Sequence, residues 1–482
     1  MSRAGLLIAA ALLLASTAAG GAQWDTFHGD NRRTGRVDVN FPSADFQLLW
    51  KYQLSEHTYR YCKGASVWSA SPIFGEAGGR TLLYIGAYDN NVYAFEPLTG
   101  TMAWRFTTGC VVNAALAYAN VGGRPLVFAA STDRTFYCLD AANGSQLWAY
   151  ETVPWSYTVG LSQAGSPLVA EVGGITQVFV TFWNTDRRPL RAAQSGEVFA
   201  FRADRRELLW RRQVTQGKLS APAFLEVDRK PLLFIGCEDG TVRALDARSG
   251  KIVWEQVLGH AIIATPVAME LSGQPVVFVG DWWGMLNCLS ARDGHVLWSY
   301  KTGHSINGAV AVGPVGGRPT VFVASFDRSV HAIDARSTEK RWQFRTRKYV
   351  CASPAMAKVQ GRPALFIYSL DNNLYAVDAV NGKLLWRFET ASMLWPYETR
   401  GVSLWSSPAV GEVEGQPLLV LGGHDGYLYA FTARAGSTAP DLTPARVRTI
   451  PRAALVVPPV IGSGLLLAGV ALLWVKRKPG AA

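Results

Sequence analysis

Cysteine and histidine are scarce in this chain, at six and seven residues of 482. No Cys-x-x-Cys-His sequence occurs, which excludes the usual attachment of a c-type haem. No cysteine stands within residues 1–22, so we expect no lipid on the mature N-terminus. Ser, His and Asp stand at no spacing that assigns a catalytic triad. The familiar sequence signatures of haem proteins, lipoproteins and triad hydrolases are therefore missing.

Tryptophan, in contrast, is frequent and periodic. Eight tryptophans that we predict to be structural are Trp50, Trp104, Trp148, Trp210, Trp254, Trp298, Trp342 and Trp386. Five of the seven intervals between them are 44 residues long. A period of this length is the signature of a repeat architecture.

Each repeat unit is predicted to hold four short strands. A hairpin signal, such as Asp239-Gly240, stands fifteen residues before the tryptophan, between runs of β-forming residues. An A-x-D-x-x-x-G-x-x-x-W pattern closes the unit, most clearly at residues 244–254, and a proline such as Pro222 stands 32 residues before the tryptophan. A unit of this length holds four strands of about five or six residues. Four-stranded units in series predict the blades of a β-propeller.

The last unit is incomplete. Residues 407–433 carry the blade proline and the hairpin signal, but Pro440 stands where the tryptophan is expected. The missing fourth strand is available in residues 46–54, which contain Trp50. Seven complete blades and one shared blade predict an all-β, eight-bladed propeller closed by an N-terminal strand. Closure removes the exposed sheet edges that would promote aggregation.

This repeat resembles that of the pyrroloquinoline-quinone-like repeat propellers, which include quinoprotein alcohol dehydrogenases and the outer-membrane assembly propeller. The resemblance covers residues 24–433, and the Trp24-x-x-Phe27-x-Gly29 opening looks like the lead-in segment of exported members. For the enzymes, the resemblance implies a funnel that holds quinone (PQQ) and calcium, an Asp that acts as base, and a disulfide between adjacent cysteines. In those enzymes the disulfide packs against the quinone. This chain has no Cys-Cys pair, so it lacks that disulfide. Membership of the family predicts the fold well and the function poorly.

Segments outside the repeats indicate export and anchoring. Residues 1–22 carry a basic residue, an apolar run and small residues, as in a secretory signal peptide. Residues 453–475 are apolar and long enough for a transmembrane helix, and the basic residues after them place the tail in the cytoplasm. The predicted order is signal peptide 1–22, propeller 23–435, proline-rich linker 436–452, transmembrane helix 453–475 and cytoplasmic basic tail 476–482. We expect a single-pass protein of the cell membrane with its propeller on the periplasmic or extracellular side. The alternative is a sorting tail that is cut after export.

Three connections between blades are longer than the rest. Most run 12 residues from a tryptophan to the next blade proline, and three run 19 or 22 residues. We expect them on the face that carries these connections, here called the front face. The predicted binding residues in them are Tyr59, Tyr61, Trp68, Trp155, Tyr157, Trp395, Tyr397 and Trp405. Such aromatic loops suit a protein partner or a small planar or sugar-like ligand. The alternative is that the rings only pack together and order the loops.

Basic residues concentrate in the third blade. An 11-residue insertion between its second and third strands contains Arg187, Arg188 and Arg191. In a chain of net charge +11, this surface attracts acidic proteins or anionic lipids. A solvated charged edge is the favoured interpretation. We expect no nucleic-acid partner for an exported domain.

The cysteines divide into two groups. Cys138, Cys237 and Cys288 take repeat positions that other blades fill mostly with small residues, which predicts core packing. Cys62, Cys110 and Cys351 stand in front-face connections. One disulfide involving Cys62 is open, and Cys110 is the partner we consider first.

Two histidines recur at one position. His260 and His304 each stand six residues after a blade tryptophan, in consecutive front-face loops. They would supply half of a metal site, but no third ligand stands at a diagnostic spacing. Ordinary loop histidines are the favoured interpretation.

These observations favour a non-catalytic binding or scaffolding module, exported and anchored, with an aromatic front face and no cofactor. A quinoprotein dehydrogenase with PQQ and calcium is the alternative class, and the question of catalysis stays open. A role like that of the outer-membrane assembly propeller is a further alternative. The missing lipid-attachment cysteine and the predicted C-terminal span argue against direct equivalence with that protein.

Overall fold

The computed structural model describes residues 24–54, 70–152, 162–184, 195–390 and 406–435. Regular structure in this part of the chain is entirely β, in eight sheets that form the blades of a propeller. The all-β, eight-bladed prediction is confirmed. No helix among the described residues has the length and apolar character to cross a bilayer. The predicted signal peptide, linker, transmembrane helix and basic tail lie outside the described residues and stay predictions.

The strands of the first half follow the chain. Two strands precede the first blade, β1 (Arg36–Phe41) and β2 (Phe46–Gln53). Blade 1 has β3 (Ile73–Ala77), β4 (Arg80–Gly86), β5 (Asn91–Phe95) and β6 (Met102–Thr107). Blade 2 has β7 (Ala117–Val121), β8 (Arg124–Ala130), β9 (Thr135–Asp140) and β10 (Gln146–Glu151). Blade 3 has β11 (Ser162–Ala164), β12 (Leu168–Val172), β13 (Ile175–Asn184), β14 (Gly196–Arg202) and β15 (Leu208–Thr215). Blade 4 has β16 (Ala223–Val227), β17 (Lys230–Gly236), β18 (Thr241–Asp246) and β19 (Ile252–Val257).

The second half repeats the same order. Blade 5 has β20 (Val267–Leu271), β21 (Gln274–Gly280), β22 (Met285–Ser290) and β23 (Val296–Lys301). Blade 6 has β24 (Ala311–Val315), β25 (Arg318–Ser325), β26 (Ser329–Asp334) and β27 (Lys340–Arg345). Blade 7 has β28 (Ala355–Val359), β29 (Arg362–Tyr368), β30 (Asn373–Asp378) and β31 (Leu384–Glu389). Blade 8 has β32 (Ala409–Val413), β33 (Gln416–Gly422) and β34 (Tyr427–Ala433).

Blade 8 is completed by the N-terminal strand, as predicted. Strand β2 pairs antiparallel with β34, with Trp50 opposite Ala430. The sheet order β2-β34-β33-β32 therefore joins the two ends of the propeller. Because β2 is held to β34 by hydrogen bonds and side-chain packing alone, this seam is the non-covalent closure of the ring.

The repeat signature forms the joint between neighbouring blades. The indole N–H of Trp254 in blade 4 donates to the carbonyl of Ala291 in blade 5, at 3.0 Å. Gly294 of blade 5 has a φ of +79°, and a Cβ there would lie 2.5 Å from the Trp254 ring. Glycine is needed at this position both for its backbone conformation and for the close approach of the indole. The Gly and Trp of the pattern therefore meet across a blade interface.

The hydrophobic core is a series of interfaces between blades. One buried cluster combines Phe128 and Phe136 of blade 2 with Phe199 and Phe201 of blade 3. The middle strands of each blade are covered on both faces, which explains their nearly continuous apolar sequence. Cys138 belongs to this cluster and is fully buried, and Cys237 and Cys288 are fully buried in other interfaces.

Residues 24–41, here called the channel segment, adopt a structure that the sequence did not predict. Strand β1 lies parallel to β28, the innermost strand of blade 7. Six carbonyls of this segment accept hydrogen bonds from the second residue of six innermost strands. The N–H···O distances are 2.7–3.0 Å, and the pairs are Phe74 to Trp24, Tyr118 to Asp25, Phe224 to Asn31, Ala268 to Arg32, Val312 to Thr34 and Met356 to Gly35. The segment therefore winds past the blades in order, along the inner edges of their first strands in the central channel.

Candidate functional site

The front face is defined by which turns meet there. The N–H of Leu54, after the fourth strand of blade 8, donates to the carbonyl of Gly426 in its second hairpin. The N–H of Thr302 donates in the same way to Gly284 in blade 5. The connections between blades and the hairpins between second and third strands therefore share one face, as expected.

The aromatic residues predicted from the long connections cannot be placed on this face. Tyr59, Tyr61, Trp68, Trp155, Tyr157, Trp395, Tyr397 and Trp405 lie outside the described residues. Cys62 lies outside them too, so its pairing with Cys110 stays a prediction. The basic insertion of blade 3 falls in the undescribed residues between β13 and β14.

Arginines of blade 3 that are described form ion pairs with nearby carboxylates. Arg211 lies 2.8 Å from Glu197, and both Arg202 and Arg205 contact Glu207 at 3.6 and 2.8 Å. These pairs are on the surface and partly neutralise the basic cluster. They agree with the favoured interpretation of a solvated charged edge.

An aspartate on the front face clamps the connection that enters its blade. In blade 2 the Asp133 carboxylate accepts the N–H of Gly109 and the hydroxyl of Tyr137, both at 2.7 Å. Asp327 of blade 6 and Asp371 of blade 7 accept the corresponding N–H groups at 2.9 Å. Each aspartate stands fifteen residues before its blade tryptophan, so the clamp is part of the repeat.

Blade 5 departs from this rule because Trp283 occupies the clamp position. The turn is held by Asp281, whose Oδ1 accepts the N–H groups of Trp283 and Met285 at 2.9 and 2.8 Å. Trp283 is 64% exposed and its neighbour Trp282 is 41% exposed. The two indoles therefore stand at the tip of a front-face hairpin, where other blades place a bonded carboxylate.

His260 and Lys301 flank the Trp283 ring. The His260 ring is stacked on it, with centroids 4.8 Å apart and an interplanar angle of 23°. The Lys301 ammonium lies 5.9 Å from the ring centroid and donates to the Trp283 carbonyl. This arrangement is a cation–π contact in which the lysine is also held by the backbone.

A second aromatic stack lies on the front face of blade 6. His304 is stacked on Phe326 at 5.9 Å and on Tyr349 at 6.1 Å, and the last two rings are 5.2 Å apart. The two predicted histidines thus each join an aromatic stack. Among the described residues there is no group of three or more His, Cys, Asp or Glu that could hold a metal ion.

The front face near these stacks is basic. The exposed basic residues near the stacks, in blades 5 and 6 and in the connection that follows, are Lys301, Arg328, Arg345, Arg347 and Lys348. The nearby carboxylates of Asp327 and Asp371 are occupied by the clamps described above. This sector therefore presents cations and aromatic rings to solvent.

Arg33 holds the channel segment to blades 3 and 4. Its guanidinium is fully buried and donates to the carbonyls of Phe27, Pro167 and Pro222 at 2.6, 2.9 and 3.1 Å. It also donates to the hydroxyl of Thr26 at 2.7 Å. Burial lowers the pKa of Arg33 to about 9, so the side chain stays cationic at neutral pH.

His28 ties the same segment to blade 7. Its ring nitrogens lie 2.5 and 2.9 Å from the carbonyl oxygens of Arg33 and Pro354. Burial lowers the pKa of His28, and the two carbonyls act in the opposite direction. Gly35 lies beside this ring, and a Cβ there would be 2.4 Å from it. The prolines of the repeat therefore direct carbonyls at the channel, where buried side chains of the segment use them.

A cavity of about 470 Å³ lies behind the channel segment, between blades 5 and 6. The charged residues that line it are Arg32, Arg36, Arg336, Asp30, Asp38 and Glu270. The lining holds three guanidinium groups and three carboxylates, so it has no net charge. Its charge favours neither an anion nor a cation.

His424 is expected to make the fold sensitive to acid. It is fully buried in blade 8, against Tyr368 at 4.6 Å, and burial lowers its pKa to about 3. Between about pH 6.5 and that value, the unfolded chain binds a proton that the folded chain does not. The contribution of His424 to stability is therefore complete above about pH 6.5 and falls by about 1.4 kcal/mol for each pH unit below it. We expect His424→Gln to lose less stability than wild type on acidification, measured as the melting temperature of both proteins from pH 7 to 4. Parallel profiles would contradict the assignment.

Comparison with known proteins identifies the family of this propeller. The sequence model of one family, described as "Outer membrane protein assembly factor BamB", matches residues 33–221, 194–312 and 283–469. A search of curated protein sequences finds no match.

Solved structures share the fold at low sequence identity. A europium-containing methanol dehydrogenase has a TM-score of 0.65 at 14% identity, over 85% of this chain and 98% of its own. The quinohemoprotein alcohol dehydrogenase of Comamonas testosteroni has a TM-score of 0.63 at 13% identity, over 89% and 83%. BamB from Moraxella catarrhalis has a TM-score of 0.51 at 14% identity, over 81% and 99%. These identities establish the fold alone. Because the family matches cover almost all of the repeats, this chain belongs to the PQQ-like repeat β-propeller family described as outer membrane protein assembly factor BamB.

Proposed function

We propose that this chain is a non-catalytic binding or scaffolding propeller that is exported, tethered by its C-terminal segment, and holds a partner at its front face. The observation that carries the proposal is the occupied channel. Residues 24–41 consume backbone hydrogen bonds of six innermost strands, and Arg33 and His28 are fully buried among them. The inner edges of these strands are thereby bonded within the fold. We therefore look for partner binding on the front face.

The fold itself favours a second candidate, a quinoprotein dehydrogenase. Two of the similar structures are a methanol dehydrogenase and a quinohemoprotein alcohol dehydrogenase. The residues described in this chain do not fit a quinone with calcium. They provide no metal-binding group of three or more acidic, His or Cys ligands, and the innermost strands around the channel are bonded to residues 24–41. The chain also lacks adjacent cysteines. We therefore place binding ahead of redox catalysis.

Native mass spectrometry separates the two candidates. The full chain, purified in detergent, is incubated with PQQ and calcium and its mass and absorbance spectrum are recorded. We expect no stoichiometric quinone adduct. An adduct with a quinone absorbance band would replace this proposal with the dehydrogenase and make alcohol oxidation assays the next step.

The family description motivates a third role, in the assembly of outer-membrane proteins. The predicted C-terminal span and the absence of a cysteine in residues 1–22 argue against a position equivalent to that of the family's lipoproteins. Specific copurification of outer-membrane assembly proteins with the full chain would favour that role over a general scaffold.

A further inference from the structure

We propose that the front face of blades 5 and 6 binds an acidic segment of a partner protein, with Trp282 and Trp283 as its anchors. This inference rests on the proposed function, because it names the partner chemistry for the same face. It concerns residues outside the long connections from which the binding site was predicted.

The first argument is a comparison within the molecule. Asp133, Asp327 and Asp371 show what the clamp position does when it serves the fold. Blade 5 folds with the same strands and turns although Trp283 replaces the aspartate. The N–H of Gly259, which matches the clamped group of Gly303, bonds to the Gly240 carbonyl at 3.3 Å instead. Folding of the blade thus does not require Trp283, and its exposed indole calls for another explanation.

The second argument is that the aromatic surface is ordered before a partner arrives. His260 covers one face of Trp283, and Phe326 and Tyr349 are stacked within 10° of parallel. Lys301 is held by the carbonyl of Trp283. Side chains that are already packed against one another lose less entropy on binding, which suits the central residues of a protein interface. Trp, Tyr and Arg are also the residues that most often dominate such interfaces.

The third argument is charge. Lys301, Arg328, Arg345, Arg347 and Lys348 surround the stacks and are exposed. None of the ion pairs among the described residues involves them. A partner segment rich in Asp and Glu would find complementary charge here, which speeds association and selects against basic partners.

Anionic lipid would meet the charge requirement as well, but it makes no use of paired, stationary rings. His260 covers one face of Trp283 and fixes the orientation of its ring, which insertion into a lipid surface does not require. Protein segments recognise such stacked platforms with their own side chains and backbone. We therefore assign the site to a protein partner and treat lipid as an outcome of the test.

The test compares three forms of the full chain in detergent: wild type, Trp283→Asp and Val380→Asp. Trp283→Asp restores the residue found at this position in other blades, so we expect its melting temperature to be unchanged or higher. Val380 is 43% exposed and lies between β30 and β31, on the opposite face. Val380→Asp therefore controls for the loss of an exposed apolar residue and the gain of a charge.

The probe is a random linear peptide library displayed on phage and selected on the wild-type chain. We expect enriched peptides to be rich in Asp and Glu and to carry an aromatic or aliphatic residue. Their affinity should fall about thirtyfold in Trp283→Asp and stay unchanged in Val380→Asp. A chain with Arg345→Glu and Lys348→Glu should bind them more slowly and with a weaker dependence on salt.

The possible results separate the two proposals. Peptides that need Trp283 but have no acidic bias would overturn the acidic partner and leave front-face binding intact. Equal binding to wild type and Trp283→Asp, or enrichment of no peptide, would overturn the site. A further outcome would assign the face to lipid. In it, the wild type binds no peptide but binds phosphatidylcholine vesicles with about 30% phosphatidylglycerol, and Trp283→Asp does not bind these vesicles. If Trp283→Asp and the variant with Arg345→Glu and Lys348→Glu both keep all peptide and vesicle binding of the wild type, that result would count against the proposed function as well.

Discussion

Replacement of Arg33 by Met is expected to lower the free energy of unfolding by about 3 kcal/mol. Its guanidinium donates to four carbonyls and one hydroxyl, which belong to the channel segment and to blades 3 and 4. Methionine fills similar space but leaves those acceptors without donors, and each such group costs about 1–3 kcal/mol. The variant no longer buries a cation, and the desolvation cost that it avoids offsets part of this loss. The measurement is urea unfolding followed by tryptophan fluorescence.

Arg33→Lys is the matched control. Lysine keeps the charge but lacks the planar fork, so it cannot reach the Phe27, Pro167 and Pro222 carbonyls together. Its stability should fall between wild type and Arg33→Met. Wild-type stability of Arg33→Met would show that the channel segment does not depend on this residue. Equal stability of the lysine variant and wild type would show that charge alone is enough.

Replacement of Trp50 by Ala is expected to have the largest effect on stability, about 4 kcal/mol. Trp50 is 2% exposed, and its indole N–H donates to the Pro97 carbonyl of blade 1 at 2.7 Å. Gly100 of blade 1, with a φ of +71°, lies against the ring. Trp50 also stands in β2, opposite Ala430 of blade 8. Trp50 thus joins β2, the strand that closes blade 8, to blade 1, and its loss weakens the anchoring of the closing strand.

Trp342→Ala is the control for that prediction. Trp342 makes the same joint, donating to the Ala379 carbonyl at 3.0 Å and packing against Gly382. It lies in a strand of a continuous blade, so we expect a smaller loss. Hydrogen exchange should show faster exchange in β2 and β34 for Trp50→Ala, and unchanged exchange there for Trp342→Ala. Equal protection of the seam in both variants would mean that β2 is not its weak point.

Most of the blade architecture could be predicted because repeats leave evidence at fixed spacing. The position of Trp254 predicts an outer strand, and Gly250 predicts the turn on which the tryptophan of the preceding blade packs. The missing tryptophan at Pro440 and the extra one at Trp50 together predicted the closure that β2 and β34 make. These features are local, so each can be read without knowing what its neighbours in space are.

The site was less accessible to prediction. Long connections pointed to the aromatic residues at 59–68, 155–157 and 395–405, which lie outside the described residues. Trp283 has a connection of ordinary length before it, so loop length did not single it out. The usable signal was the exchange of a recurring aspartate for an aromatic residue. Only the bonds of Asp133, Asp327 and Asp371 show that the exchange removes a structural clamp.

The sequence by itself determined the number of blades, the order of their strands and the way the ring closes, because blade formation depends on contacts that recur every unit. Only the tertiary structure decided where residues 24–41 lie. Their hydrogen-bond partners are spread over six blades, and the segment itself does not follow the repeat period. It also decided that Arg33 is buried, since a charged residue in a short non-repeating segment gives no sign of burial until carbonyls from separate blades surround it. Contacts that converge on a central axis arise from the assembled ring, and no single stretch of the chain encodes them.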